Sequence, residues 1–169
     1  MNITEYLKDR VLFLDGGTGT LLQQAGLAPG EAPETWNLTN PQGVKDIARA
    51  YYDGGSNAVS TNTFGANLLK FSKEELSRII PAAVEIVRQA RAESTAPQEK
   101  FILLDIGPTG RLLKPLGDLD FEDAVAIFSE TVRIGAECGV DAVLIETMND
   151  SYETKAALLA EKETCTLPA

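Results

Sequence analysis

Four short runs of this chain are almost unbroken in apolar, often β-branched residues: positions 11–15, 58–63, 101–106 and 142–146. They lack the every-other-residue polarity of a strand with one wet face. They therefore predict strands covered on both faces, as in a parallel sheet. Between them the period changes. Leu76, Ile79, Ile80, Val84, Val87 and Ala90 recur at threes and fours and predict an amphipathic helix over 72–93. Another is predicted over 41–53, where Asn40 can cap, Pro41 fits the first helical position and Gly54-Gly55 stops the pattern. Two more are predicted over 121–138, after Asp120, and over 151–164, after Asp150, where Tyr152, Ala156, Leu159 and Ala160 fall near one face.

The strand ends recur roughly every forty residues, close to the size of a βα unit with a decorated loop. Alternation of this kind predicts an α/β fold. The long irregular stretch, 25–40, contains Pro29, Gly30 and Pro33 and reads as a functional decoration after the first strand. Trp36 within it reads as a plug that pins the loop over the mouth of the fold. Two architectures use such units, an open doubly wound sheet and a (β/α)8 barrel. A complete barrel needs about 250 residues, so length alone favours the open sheet.

The chemistry concentrates at strand ends. Run 11–15 delivers Asp15 and then Gly16, Gly17 and Gly19 within a few residues. A carboxylate holds a cation and glycine N–H groups hold an anion, and a zwitterionic amino acid offers both charges. The other runs end in Asn62 and Thr63, in Asp105 and in Glu146. In either architecture the carboxyl ends of parallel strands converge on the ligand crevice. Asp15, Asp105 and Glu146 brought together there cannot all stay ionised unless something cationic sits among them. Asp105 fits a loop-capping role as well as a ligand role. The segment Gly17-Thr18-Gly19-Thr20-Leu21-Leu22 ends in leucine where a dinucleotide fingerprint requires Gly or Ala, and no G-K-[ST] follows. Nucleotide binding is disfavoured.

Charge narrows the partners further. The formal net charge is −10 and the chain has no histidine. Such a surface repels nucleic acid and anionic membranes, and the usual neutral-pH base and commonest metal ligand are missing. Cys138 and Cys165 form no C-x-x-C pair and fall at the amino-terminal face, away from the strand ends. They read as small, partly buried thiols. Neither a signal peptide nor a membrane-spanning run is expected, and the expected compartment is the cytoplasm.

Five separated blocks occur in order: residues 14–23, LDGGTGTLLQ; 33–41, PETWNLTNP; 61–67, TNTFGAN; 105–110, DIGPTG; and 144–148, LIETM. Together they resemble the homocysteine-binding domain of cobalamin-dependent methionine synthases, from about residue 10 to the last residue. The resemblance implies a (β/α)8 TIM barrel and displaces the open sheet favoured by length. Residues 1–169 would then form its first four βα units, a half-barrel without strands five to eight. It also implies that Asp15 and Glu146 hold the homocysteine ammonium and that backbone N–H groups of Gly16, Gly17 and Thr18 bind its carboxylate. Asn62, Thr63 and Asp105 complete the candidate substrate-binding set.

In that family zinc is bound by three cysteines from later strands, which on this alignment of motifs would lie beyond Ala169. Cys138 and Cys165 do not align with them, so no metal ligand and no catalytic residue are expected here. The implied activity is homocysteine S-methyltransfer, in which methylcobalamin methylates a zinc-activated thiolate to give methionine. On this reading the chain supplies the amino-acid-binding half and alone takes up neither zinc nor methylcobalamin. Two alternatives stay open: a non-catalytic amino-acid-binding module, and one half of a split barrel. Because strands one and four would be bare edges, self-association or a complementing carboxy-terminal half-barrel is expected as a partner, with homocysteine as the small-molecule ligand.

Overall fold

The computed structural model describes residues 2–169. Three parallel strands, β1 (Ala58–Ser60), β2 (Phe101–Ile106) and β3 (Ala142–Ile145), lie side by side in that order. Long helices alternate with them: α4 (Pro41–Asp53), α5 (Lys73–Glu93), α6 (Phe121–Glu137) and α7 (Ser151–Thr164). Shorter ones come first in the chain: α1 (Ile3–Tyr6), α2 (Thr18–Gln24) and α3 (Trp36–Thr39), the last entered through a 3-10 turn at Pro33–Thr35. Residues 33–39 of the stretch read as irregular are therefore helical. The long helices begin where polar caps stand. Asn40 accepts from Gly43 N–H, Ser72 and Glu75 form a reciprocal capping box, and Asp150 accepts from Tyr152 N–H.

β2 is the centre of the packing, because all six of its residues are buried. Ile102, Leu104 and Ile106 face the main core formed with α5, α6 and α7, which includes Leu76, Ile80, Val84, Phe128 and Val132. Phe101 and Leu103 point the other way, onto Ile3 and Tyr6 of α1, with Ala58 and Ala142 beside them. The Tyr6 and Phe101 rings meet edge to face at 5.5 Å. Asp105 continues the Phe101–Leu103 face by the two-residue period of a strand. The same face that α1 closes at one end thus carries a carboxyl at the other.

The predicted strand 11–15 is corrected by the structure. It contributes one isolated parallel bridge, Leu14 to Ala58, rather than a ladder. Side chains replace the missing rungs: Asn57 Oδ1 accepts from Phe13 N–H at 3.1 Å, and the Asp15 carboxylate accepts from Ser60 N–H at 2.8 Å. Nor is the segment covered on both faces, since Val11 is 70% and Phe13 63% exposed. The run 58–63 shortens to Ala58–Ser60 for a related reason, as Thr61 and Thr63 turn their hydroxyls onto each other at 2.7 Å. At the opposite edge of the sheet, Val143 N–H donates to the Pro168 carbonyl at 2.9 Å. Among the described residues no helix is long and apolar enough to cross a membrane.

Asn57 holds the edge from both sides, since its Nδ2 also donates to the Glu99 carbonyl at 3.1 Å. Replacing Asn57 with Ala leaves buried groups unpaired and should cost about 2–4 kcal/mol. Urea denaturation checks the loss, and hydrogen exchange at Asp15 N–H should accelerate more than at Ile102 N–H.

Candidate functional site

At the carboxyl ends of the strands lies a cleft of about 510 Å³. The Asp15 side chain enters it directly after the Leu14 bridge, held by Ser60, whose N–H and hydroxyl donate to the two carboxylate oxygens at 2.8 and 3.0 Å. Burial pushes the Asp15 carboxyl above its ordinary range, and the Ser60 hydrogen bonds pull against that. Gly16 and Gly17 follow along the wall, and α2 starts at Thr18 with no side-chain cap, so its first N–H groups take no side-chain acceptor. The Tyr51 hydroxyl donates to the Gly17 carbonyl at 3.2 Å, and it lies 3.1 Å from where a Cβ on Gly16 would stand. Glycine is the residue that fits there.

Asp105 is 7% exposed, and its Oδ1 is buried with no hydrogen-bond partner among the described residues. Its backbone is braced instead: Thr63 Oγ1 donates to its carbonyl at 2.8 Å and its N–H donates to Thr61 Oγ1 at 3.2 Å. Burial, then the charges of Glu146, Asp15 and Glu34, push the Asp105 carboxyl up to about 8. Glu146 continues β3, its N–H donating to the Ile106 carbonyl at 3.1 Å. The next residue, Thr147, adopts φ +55°, a left-handed conformation that is costly for a β-branched residue. Both line the cleft.

Asp15, Gly16, Gly17, Thr18, Asn62, Asp105 and Glu146 therefore meet in one cleft, as their positions at strand ends predict. Thr63 does not line it, since the hydroxyl is turned inward to brace Asp105. Asn62 reaches the wall, but its amide is already engaged, donating to the Pro33 carbonyl at 2.7 Å and to Asn37 Oδ1 at 3.0 Å. Trp36 is corrected too. Its indole packs with Leu22, Leu27, Val44 and Ile86 and donates to Glu31 Oε1 at 3.0 Å, so it anchors the loop from behind and leaves the mouth clear.

Two charged lining residues escape a reading by strand ends. Glu34 is 3% exposed and accepts from Gly65 N–H at 2.5 Å, while Lys70 is the cation of the lining. A Cβ on Gly65 would stand 2.5 Å from Lys70 Nζ and 2.6 Å from Glu34 Oε1, so glycine lets the two side chains converge. Glu34 belongs to the 3-10 turn and Lys70 to the loop after β1, and the available signal is the position of Glu34 inside the block 33–41.

Residues 12–169 match the family model described as homocysteine S-methyltransferase. The chain belongs to the homocysteine S-methyltransferase family. It is similar to methionine synthase from Mycobacterium leprae, 32% identical over 176 residues, covering 98% of this chain and 14% of that protein. The Mycobacterium tuberculosis methionine synthase is 31% identical over 176 residues, covering 98% and 15%. The chain thus spans about one seventh of the length of these curated relatives. Among solved structures, the oxidised form of the Escherichia coli homocysteine methyltransferase MmuM superposes with a TM-score of 0.78 at 21% identity, over 94% of this chain and 61% of that one. Its metallated form gives 0.78 at 20% identity, over 96% and 63%. At these identities the likeness establishes the shared α/β fold.

The zinc that the resemblance implies finds no fitting donor set among the described residues. Among the described residues no group of three or more His, Cys, Asp or Glu is arranged to hold a metal ion. Neither Cys138 nor Cys165 lines the cleft, and the segment that runs from Cys165 to Ala169 stays outside it as well.

A carboxyl whose folded-state pKa is raised holds its proton in the fold but releases it on unfolding. Asp105 therefore opposes folding increasingly as pH rises from about 4 towards about 8, and Asp15 acts in the same direction. The urea midpoint should fall between about pH 5 and about pH 8, and Asp105→Asn should flatten that decline. A midpoint that rises with pH over this window would contradict the burial of Asp105.

Proposed function

We propose that this chain forms the amino-acid-binding part of a homocysteine S-methyltransferase of the methionine synthase type. The observation that carries the reading is that Asp15 and Glu146, from opposite edges of the sheet, line the same cleft. Asp15 is already oriented by Ser60 and accepts from the substrate ammonium through its remaining lone pairs, with Glu146 closing on the same amine. The N–H groups of Gly16, Gly17 and Thr18 take the carboxylate of the amino acid. With both charges fixed, the side chain carrying sulfur has one direction left, and this orientation is the contribution of these residues to methyl transfer.

Zinc, when bound, lowers the pKa of a thiol and makes it nucleophilic. No donor set among the described residues fits it, so thiol activation and the methyl donor, methylcobalamin in this reading, are assigned to other residues. A half-barrel completed by further strands, from the same polypeptide or a second one, accounts for the bare apolar edge at Val11, Phe13 and Leu14. Methionine formation by the 169 residues alone is not expected.

Calorimetry with homocysteine tests the clamp. Asp15→Asn and Glu146→Gln should each weaken binding by about 1.5–3 kcal/mol, or about 10- to 150-fold, the value of a charge-assisted hydrogen bond. Unchanged affinity in both variants would remove the proposed role of the pair.

A further inference from the structure

The proposed clamp leaves one buried carboxyl unused, in the middle strand between its two members. Asp105 pairs in register with Leu144, which precedes Glu146 by two residues and shares its face of the sheet. On the other side Leu103, two residues before Asp105, pairs with Ser60, the residue that holds Asp15. Asp105 is 7% exposed, lines the cleft, and offers a buried Oδ1 to which no protein donor is bonded among the described residues.

The charged groups facing it come from every neighbouring element. Asp15 approaches from the edge segment, Glu34 from the 3-10 turn, Lys70 from the loop after β1 and Glu146 from the end of β3, with Tyr51 of α4 behind Asp15. Neighbouring carboxyl groups with one lysine in the same lining make ionisation of the buried Asp105 costly. Burial favours the protonated form of Asp105, whose pKa is pushed up to about 8. An alkylammonium has three N–H donors. Asp15 and Glu146 accept two of them, the third is left for the unpartnered Asp105 carboxyl, and the approaching positive charge drives that carboxyl toward its ionised form.

We infer that Asp105 is the third acceptor for the substrate ammonium and that it surrenders its carboxyl proton to solvent as the amine enters. The exchange balances: a neutral carboxyl and an ammonium become a carboxylate–ammonium pair and one released proton, with no other bond made or broken. The inference rests on the amino-acid-binding reading of the cleft.

Calorimetry on the full-length protein tests it, run near pH 7 in two buffers of different ionisation enthalpy. Methionine is the probe, having the same ammonium and carboxylate but no titrating thiol. The wild type should release most of one proton per methionine bound, and its affinity should rise by up to about tenfold per pH unit between about pH 6 and about pH 8. Asp105→Asn should bind without proton release and with a flat pH profile. Equal release by wild type and variant, or none by the wild type, overturns the inference while leaving the amino-acid cleft intact. Failure of the wild type to bind methionine or homocysteine overturns both. Should the variant not fold, difference infrared spectroscopy on the wild type gives the answer, because the protonated-carboxyl band must vanish on methionine binding and its persistence refutes the release.

Discussion

The carboxylate of Asp15 fastens the edge of the sheet and carries charge into the cleft with the same two oxygens. Ser60 supplies both donors, one from its backbone and one from its side chain. Residues 11–15 have a single bridge of their own to β1, so this side-chain rung sets where the glycine turn begins. Everything on that wall follows from it: the approach of Gly16 to Tyr51, the start of α2 at Thr18, and the direction from which an anion meets free N–H groups. A charged hydrogen bond in a half-buried place is also stronger than its neutral counterpart. The same bond therefore aligns the strand and keeps the carboxyl nearer to ionisation than burial alone would allow.

The opposite wall is built by the same device, side chains bonded to backbone. Asn37 donates to the Asn62 carbonyl at 2.8 Å while Asn62 donates to the Pro33 carbonyl, and Glu34 accepts from Gly65 N–H. These reciprocal bonds bind the 33–37 segment to the end of β1. Trp36 fixes the segment from outside through apolar contacts. Directional bonds inside and packing outside make a rigid wall from a stretch that composition alone describes as irregular. Glu153 performs a comparable service across the sheet, accepting from the Thr109 N–H and hydroxyl at 2.8 and 2.6 Å. It joins the loop after β2 to the start of α7.

Much of this is legible in the order of residues, because hydrophobic period and strand-end polarity are local properties. The long helices begin within a residue of their predicted starts, and Asp15, Asp105 and Glu146 converge because parallel strands share a carboxyl end. What escapes is non-local. An apolar run says that a strand would be covered, yet it cannot say whether a neighbour is there to cover it, and Val11 and Phe13 remain exposed. A hydroxyl at a strand end looks the same whether it faces ligand or backbone, so Thr63 reads as a substrate ligand although it braces Asp105. Glu34 and Lys70 reach the cleft through a short 3-10 turn and a loop, neither of which a hydrophobic period encodes.

On the proposed reading, the balance of charges in the cleft favours a zwitterion over a simple cation. Four carboxyl groups, Asp15, Glu34, Asp105 and Glu146, line the cleft from separate elements, and among the described residues they form no metal-holding group. On the proposed reading three of them suit an ammonium, whose three donors diverge. An all-acid wall would still repel the carboxylate of an amino acid, and the glycine turn at the start of α2 removes that objection by presenting N–H groups on the same side as Asp15. A cleft of about 510 Å³ is also larger than the amino-acid group itself, which leaves space beyond the two charged ends for the side chain to extend. On the proposed reading the acids bind one end, the backbone binds the other, and the reactive part of the ligand is the part left free.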